Sequence, residues 1–272
     1  MRVVLISEVA PAVEGLSELL RGAGHKPVAL LCVRHDTARY TQMSELVAAA
    51  PREIDIVMPA ARDRIAPLLR LFEPDVALCI GFPWKIPPDA LAVPRHGIVN
   101  GHPSLLPRYR GPSPVSWAVR NGEQEIGFTL HYMDAGLDTG NILGQVRISL
   151  DDEHSWEELT PKLAEAVGGL LPGVLERVAA GDPGDPQDES QATYLGAFES
   201  EYARIDLTRS CDEVARQVRA WGFHSAVPEG KGALTEIASE TVRVLRVSRE
   251  PGDGHALECA DGTLWVVETE EP

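Results

Sequence analysis

The chain has 272 residues, enough for one large domain with its own core and a smaller one. With 44% hydrophobic and 24% charged residues it reads as globular, which excludes a disordered tether. A formal net charge of −16 opposes general attraction to a phosphate backbone, and the apolar run in MRVVLIS is too short for a signal peptide. No stretch approaches the length of a membrane span, so a cytoplasmic protein with no membrane partner is expected.

In chain order, Arg2–Ser7 is a short β-rich run, and Val13, Leu16, Leu19 and Leu20 then fall at helical spacing up to Gly22. Lys26–Val33, Ile54–Met58 and Val76–Ile80 repeat the strand signal, with a helical stretch over Arg64–Phe72. Strands that are continuous apolar runs, alternating with helices, predict a Rossmann-like α/β fold: a mostly parallel sheet with helices on both faces. Such a sheet binds ligands in loops beyond the carboxyl ends of its strands. The loop after the first strand, Ser7-Glu8-Val9-Ala10-Pro11, has no GxGxxG or P-loop pattern, which removes the main sequence support for a dinucleotide or nucleoside triphosphate. Cys32, Cys79, Cys211 and Cys259 have no zinc spacing and the histidines form no HxxxH or HExxH pair, so no metal is expected. Cys32 and Cys79 lie in apolar runs and read as buried small hydrophobes.

After the fourth strand, Gly81–Pro88 (GFPWKIPP) is too rich in proline for a regular element. Its plain reading is a rigid surface loop, but its place also suits a wall for a flat heterocycle built from Phe82, Trp84 and Ile86. The next strand, Gly97–Asn100, puts Asn100 and His102 on one side if the chain stays extended through Gly101. A proline-rich loop follows, then a helical stretch at Trp117–Asn121 and strands at Glu125–Tyr132 and Asn141–Leu150. The turn between those strands carries Asp134, Gly136, Asp138 and Gly140.

Taken singly, an Asn at a strand end is a turn former, a lone His is structural, and Asp-Thr-Gly is a turn. Together they supply what acyl transfer to an amine needs. An amide N–H and an imidazole N–H can stabilise the oxyanion of a tetrahedral intermediate, and a carboxylate near the imidazole can orient it or relay the proton the amine loses.

Asn100-Gly-His102-Pro-Ser-Leu-Leu-Pro107, then Arg110-Gly111, then Met133-Asp-Ala-Gly-Leu-Asp138-Thr-Gly140 resembles the formyltransferase family that uses 10-formyltetrahydrofolate. That family includes methionyl-tRNA, amino-sugar and glycinamide ribonucleotide formyltransferases. The resemblance implies that Asn100, His102 and Asp138 are the catalytic trio. It further implies that Phe82, Trp84, Lys85 and Ile86 belong to the loop whose backbone holds the pterin, with Asp134, Ala135 and Gly136 on the opposite wall. The co-substrate implied is 10-formyltetrahydrofolate, without a metal.

Downstream, Ser155 with Glu158 forms a capping-box signal that opens an apolar helical stretch, which Pro161 and Pro172 should kink or divide. Gly181–Pro186 reads as linker, and Ser210 with Glu213 caps a second amphipathic helix through Val214, Val218 and Trp221. Thr241–Val247, Ala256–Cys259 and Thr263–Glu268 are short strands of a small, OB-like, truncated β-rich module. The expected division is a catalytic domain over 1–180, a linker over 181–200 and a small C-terminal domain over 201–272.

Two departures bear on the acceptor. The stretch after the second strand, Arg34–Arg39, is short where tRNA enzymes of the family carry a basic insertion, and acidic residues outnumber basic ones over Gln191–Pro272. The reading is therefore formyl transfer to the primary amine of a small or carrier-borne acceptor, an amino sugar nucleotide or amino acid derivative. Methionyl-tRNA is the disfavoured alternative, followed by a non-catalytic folate-binding module and a hydrolase that releases formate.

Overall fold

The computed structural model describes residues 1–33, 43–150, 155–198, 202–223 and 232–271. The stretch Arg34–Arg39 lies outside the described residues. The chain divides into two compact units: Met1–Arg110 with Gly127–Ile148 and Thr160–Thr193, and Gly111–Ile126 with Ser149–Leu159 and Tyr194–Pro272.

The first unit is built on a seven-stranded sheet. Its strands are β1 (Arg2–Ser7), β2 (Lys26–Leu31), β3 (Asp55–Val57), β4 (Val76–Ile80), β5 (Ile98–His102), β6 (Glu125–Tyr132) and β7 (Ile142–Ser149), in the order β3-β2-β1-β4-β5-β6-β7. Pairing is parallel from β3 through β5, and β6 joins antiparallel to β5. β1 is buried at every position after Arg2, as a strand covered on both faces must be. On one face Val4, Ile6, Ala29, Leu31, Ala77, Cys79 and Ile98 form a core with Ile65, Ala66 and Leu69 of α3 (Ile65–Arg70) and Ala90 of α4 (Pro88–Leu91). α1 (Ala10–Gly22) packs on β1 and β2 through Val13, Leu16 and Leu20, and α2 (Met43–Ala49) packs beside it. Strand order reverses between β1 and β4, so their carboxyl ends open the crevice where ligands of such sheets bind. The loops there touch closely: a Cβ at Gly81, whose φ is +62°, would lie 2.6 Å from Val9 Cγ2.

Of the kink or division expected at its prolines, the long helix shows no division. α6 (Trp156–Ala179) runs unbroken through Pro161 and Pro172. The Ser155–Glu158 capping box opens it, with Ser155 N–H donating to Glu158 Oε2 at 2.8 Å and Glu158 N–H to Ser155 Oγ at 3.3 Å. Leu159, Leu163, Val167, Leu171, Val174, Leu175 and Val178 are all buried. At about 1.5–3 kcal/mol per buried side chain this outweighs about 3 kcal/mol for each proline.

The second unit holds α5 (Pro114–Arg120), α7 (Cys211–Gly222) and a four-stranded antiparallel sheet. Its strands are β8 (Ala233–Ile237), β9 (Glu240–Ser248), β10 (Ala256–Cys259) and β11 (Gly262–Glu270), in the order β10-β11-β9-β8. Register shifts around Glu268 bend β11, and the sheet curls. α5 and α7 pack together, with Trp117, Phe198, Tyr202 and Trp221 stacked edge to face or tilted between them. α7 begins at the Ser210–Glu213 capping box and buries Val214, Val218 and Trp221.

Candidate active site

β5 lies between β4 and β6, and Asn100 stands in register with Cys79 on one side and His131 on the other. The strand continues two residues beyond Asn100, because Gly101 pairs with Ile80 and Leu130 and His102 with Thr129. Alternation therefore sends Asn100 and His102 to the same face. Gly101 faces the other way, where a Cβ would sit 2.8 Å from Phe128 Cζ and 2.9 Å from Ile80 Cγ1. Close packing beneath the strand is why a glycine separates the two polar residues.

Asp138 arrives from the turn between β6 and β7 with a left-handed backbone, φ +57°. Its Oδ2 lies 3.8 Å from His102 Nδ1. The other ring nitrogen, His102 Nε2, is 2.8 Å from the carbonyl oxygen of Tyr109. A carbonyl accepts and cannot donate, so Nε2 carries a hydrogen and Nδ1 is the ring atom that faces Asp138. The distance is too long for a direct hydrogen bond, so the pair is electrostatic.

The structure adds a residue that the sequence reading passed over. His131 Nε2 is 3.1 Å from Asn100 Nδ2 and 3.8 Å from Asp138 Oδ1, and His131 Nδ1 is 2.8 Å from the Tyr132 carbonyl oxygen. With Nδ1–H donated to that carbonyl, Nε2 of the neutral ring accepts from the Asn100 amide, which fixes Nδ2 rather than Oδ1 on that side. Burial, and then the neighbouring His102, push the His131 imidazole down to about 4, against the opposite pull of Asp138. It is therefore neutral at pH 7, and its approach to Asp138 is not an ion pair. The Cys79 thiol, buried under the same site, is pushed up to about 12 by burial and then by the Asp138 charge.

The other predicted residues fall in two loops. Phe82 and Trp84 are half-buried, with ring centroids 6.2 Å apart in an edge arrangement, and both pack on the core cluster together with Met133. Lys85 is exposed. Ile86 is 2% exposed and belongs to that core, so its side chain cannot serve as a wall and its backbone alone is available. Asp134, Ala135 and Gly136 are exposed in the turn before Asp138, where Asp134 Oδ1 accepts from Gly136 N–H at 2.9 Å and Thr139 Oγ1 at 2.6 Å. A Cβ at Gly140 would lie 1.8 Å from the Tyr132 carbonyl oxygen, so this turn closes only with glycine there. Among the described residues no group of three His, Cys, Asp or Glu side chains could hold a metal ion.

The family described as Formyl transferase matches residues 2–175, which include all of these side chains. The chain belongs to the formyltransferase family. This formyltransferase is 33% identical over 290 residues to a methionyl-tRNA formyltransferase from Anaeromyxobacter dehalogenans, an alignment covering 98% of the chain and 91% of the relative. Its fold is that of a sugar 3N-formyl transferase, WlaRD, solved in the presence of dTDP and 5-N-formyl-THF, with TM-score 0.70, 16% identity and coverage of 99% and 97%. It also matches HypX from Aquifex aeolicus in complex with tetrahydrofolic acid, with TM-score 0.71 and 18% identity; the chain spans 44% of that longer protein. The activity class is formyl transfer, and the family's donor is 10-formyltetrahydrofolate. No helix among the described residues is long and apolar enough to cross a membrane.

Proposed function

We propose that the protein formylates the primary amine of a small or carrier-borne acceptor, such as an amino sugar nucleotide or an amino acid derivative, at the site made by Asn100, His102 and Asp138. The observation that carries the reading is the convergence of an oriented amide donor, an imidazole anchored through Nε2 and a carboxylate facing Nδ1. The free amine attacks the formyl carbon, and the second N–H of the Asn100 amide, with the His102 imidazolium, stabilises the oxyanion. As the intermediate collapses, the bond to the folate nitrogen breaks, that nitrogen takes up a proton, and the amine nitrogen gives one up toward Asp138. Backbone groups of the Phe82–Ile86 loop, with the Asp134–Gly136 turn, hold the pterin.

Surface charge favours an acceptor other than tRNA. In the second unit Arg204, Arg209, Arg246 and Arg249 are each drawn to a carboxylate: Glu236, Asp206 with Glu213, Glu268 and Asp212 respectively. Such exposed pairs add little stability, but each sets a carboxylate beside a cation that a phosphate backbone would otherwise meet. Methionyl-tRNA remains the second reading, supported by the 33% identity to such an enzyme along almost the whole chain.

The experiment is incubation with 10-formyltetrahydrofolate and a panel of nucleotide-linked amino sugars, hydroxyornithine, free amino acids and methionyl-tRNA, scored by mass for one added formyl group. Formylation of a small amine is expected. Formylation of methionyl-tRNA alone, with binding that weakens steeply with salt, would replace the first reading by the second. Formate released at the full rate without any amine would instead indicate a hydrolase.

A further inference from the structure

We propose that Arg110 and Gln187 are positioning residues that act as one hydrogen-bonded strap and set the spacing between His102 and Asp138. The proposal rests on the formyl-transfer reading and deepens it. Within the motif Asp134 braces Gly136 and Thr139 on either side of Asp138, and a further hold on the Asp138 main chain comes from outside the motif. The Asp138 backbone is left-handed, at φ +57°, a conformation that a non-glycine residue keeps only when its surroundings hold it.

One amide grips that main chain on both sides of Thr139. Gln187 Nε2 donates to the carbonyl oxygens of both Asp138, at 2.8 Å, and Gly140, at 2.7 Å. The amide cannot flip, because Gln187 Oε1 accepts from Arg110 Nε at 3.1 Å and Nη2 at 2.7 Å. Arg110 is itself 7% exposed, and its Nη1 and Nη2 also donate to the two carboxylate oxygens of Glu189 at 3.0 and 2.7 Å. The residue before it, Tyr109, supplies the carbonyl oxygen that accepts from His102 Nε2, again from a left-handed backbone at φ +59°. Thr193 pins both: Tyr109 N–H donates to its Oγ1 at 2.8 Å and Arg110 N–H to its carbonyl oxygen at 2.9 Å. One continuous path thus runs from the His102 ring through Tyr109, Arg110 and Gln187 to the Asp138 carbonyl, and it ties together the two residues whose imidazole and carboxylate face each other. Gln187, Glu189 and Thr193 all lie in the stretch whose composition reads as a linker. The hydrogen bonds give that stretch a catalytic consequence.

Gln187→Ala should lower kcat about tenfold to a hundredfold, the usual effect of losing a group that orients a reacting side chain, with KM for folate and amine held within about twofold. Arg110→Met should do the same, and Arg110→Lys, which keeps a charged donor for Gln187, should recover part of the rate. In an Asp138→Asn background Gln187→Ala should change the remaining rate by less than about twofold, because its effect passes through Asp138. An equal loss in both backgrounds would mark a general structural role and overturn the proposal.

A second measurement needs no acceptor. The His102 ring resonances, followed by NMR against pH, should move in Gln187→Ala in the same direction as in Asp138→Asn. A His102 titration that stays at its wild-type position in Gln187→Ala, or in Asp138→Asn, overturns the strap while formyl transfer stands. A wild-type protein that formylates no amine removes the formyl-transfer reading instead, and the titration still decides the strap. If Gln187→Ala fails to fold, Gln187→Glu takes its place: it keeps the contact with Arg110 and withdraws the donors from Asp138 and Gly140.

Discussion

His131 makes the stability of this fold depend on pH in a way that can be worked out in advance. Its imidazole faces His102, Asp138, the Asn100 amide and the Tyr132 carbonyl, and it titrates at about 4 in the folded chain against 6.5 when solvated. The unfolded chain therefore takes up a proton at this residue as pH falls through 6.5, while the folded chain resists until about 4. The stabilisation is fully present above the solvated value and is lost as pH falls, to a total of about 3 kcal/mol. His131→Gln removes the titration but keeps an acceptor for Asn100. Urea unfolding of both proteins at pH 7, 5.5 and 4.5 isolates the contribution, since carboxylates elsewhere titrate alike in each. Between pH 7 and 4.5 the wild type should lose about 2–3 kcal/mol more than the variant. Parallel stability curves would refute the argument, and with it the neutral ring that fixes the Asn100 amide.

Three further outcomes are expected. His102→Ala and Asp138→Ala should each cut formyl transfer at least about a hundredfold with the fold intact by circular dichroism; near-wild-type turnover in both would remove the trio. Gly101→Ala should lower thermal stability by about 1–3 kcal/mol, because the added methyl meets the Phe128 ring and Ile80 from a strand hydrogen-bonded on both sides. Ser210→Ala should cost about 1 kcal/mol by breaking the capping box at the start of α7, seen as an earlier urea midpoint.

The parallel strands β1, β2 and β4 were legible because each is a continuous apolar run, and Asn100, His102 and Asp138 because the motif names them. His131 was not, since its role comes from the antiparallel register that sets it against Asn100, and register is a property of two strands together. β8 escaped because the turn after it is Ala238-Ser239, with φ of +51° and +71°. Those positions ordinarily call for Asn or Gly, so the sequence carries no hairpin signal there. The unbroken α6 hid behind two prolines whose penalty is local while the burial that offsets it is spread along the helix. Gln187 lay in a Gly-, Asp- and Pro-rich stretch, where composition says turn and only the partners of the side chain say anchor.

The way the chain is shared between its two units restricts how it can be recombined. The segment Gly111–Ile126, which separates His102 from Asp138 in sequence, belongs to the second unit, where Trp117 stacks on Phe198 and Tyr202. A chimaera joined at a single crossover at Tyr194, where the last stretch of the second unit begins, would import new neighbours for Trp117 and leave the old tryptophan behind. Exchanging that unit whole means exchanging three stretches, one of them inside the reacting motif. A graft that replaces the second unit of this chain therefore has to rewrite sequence within a few residues of Arg110 and Thr129.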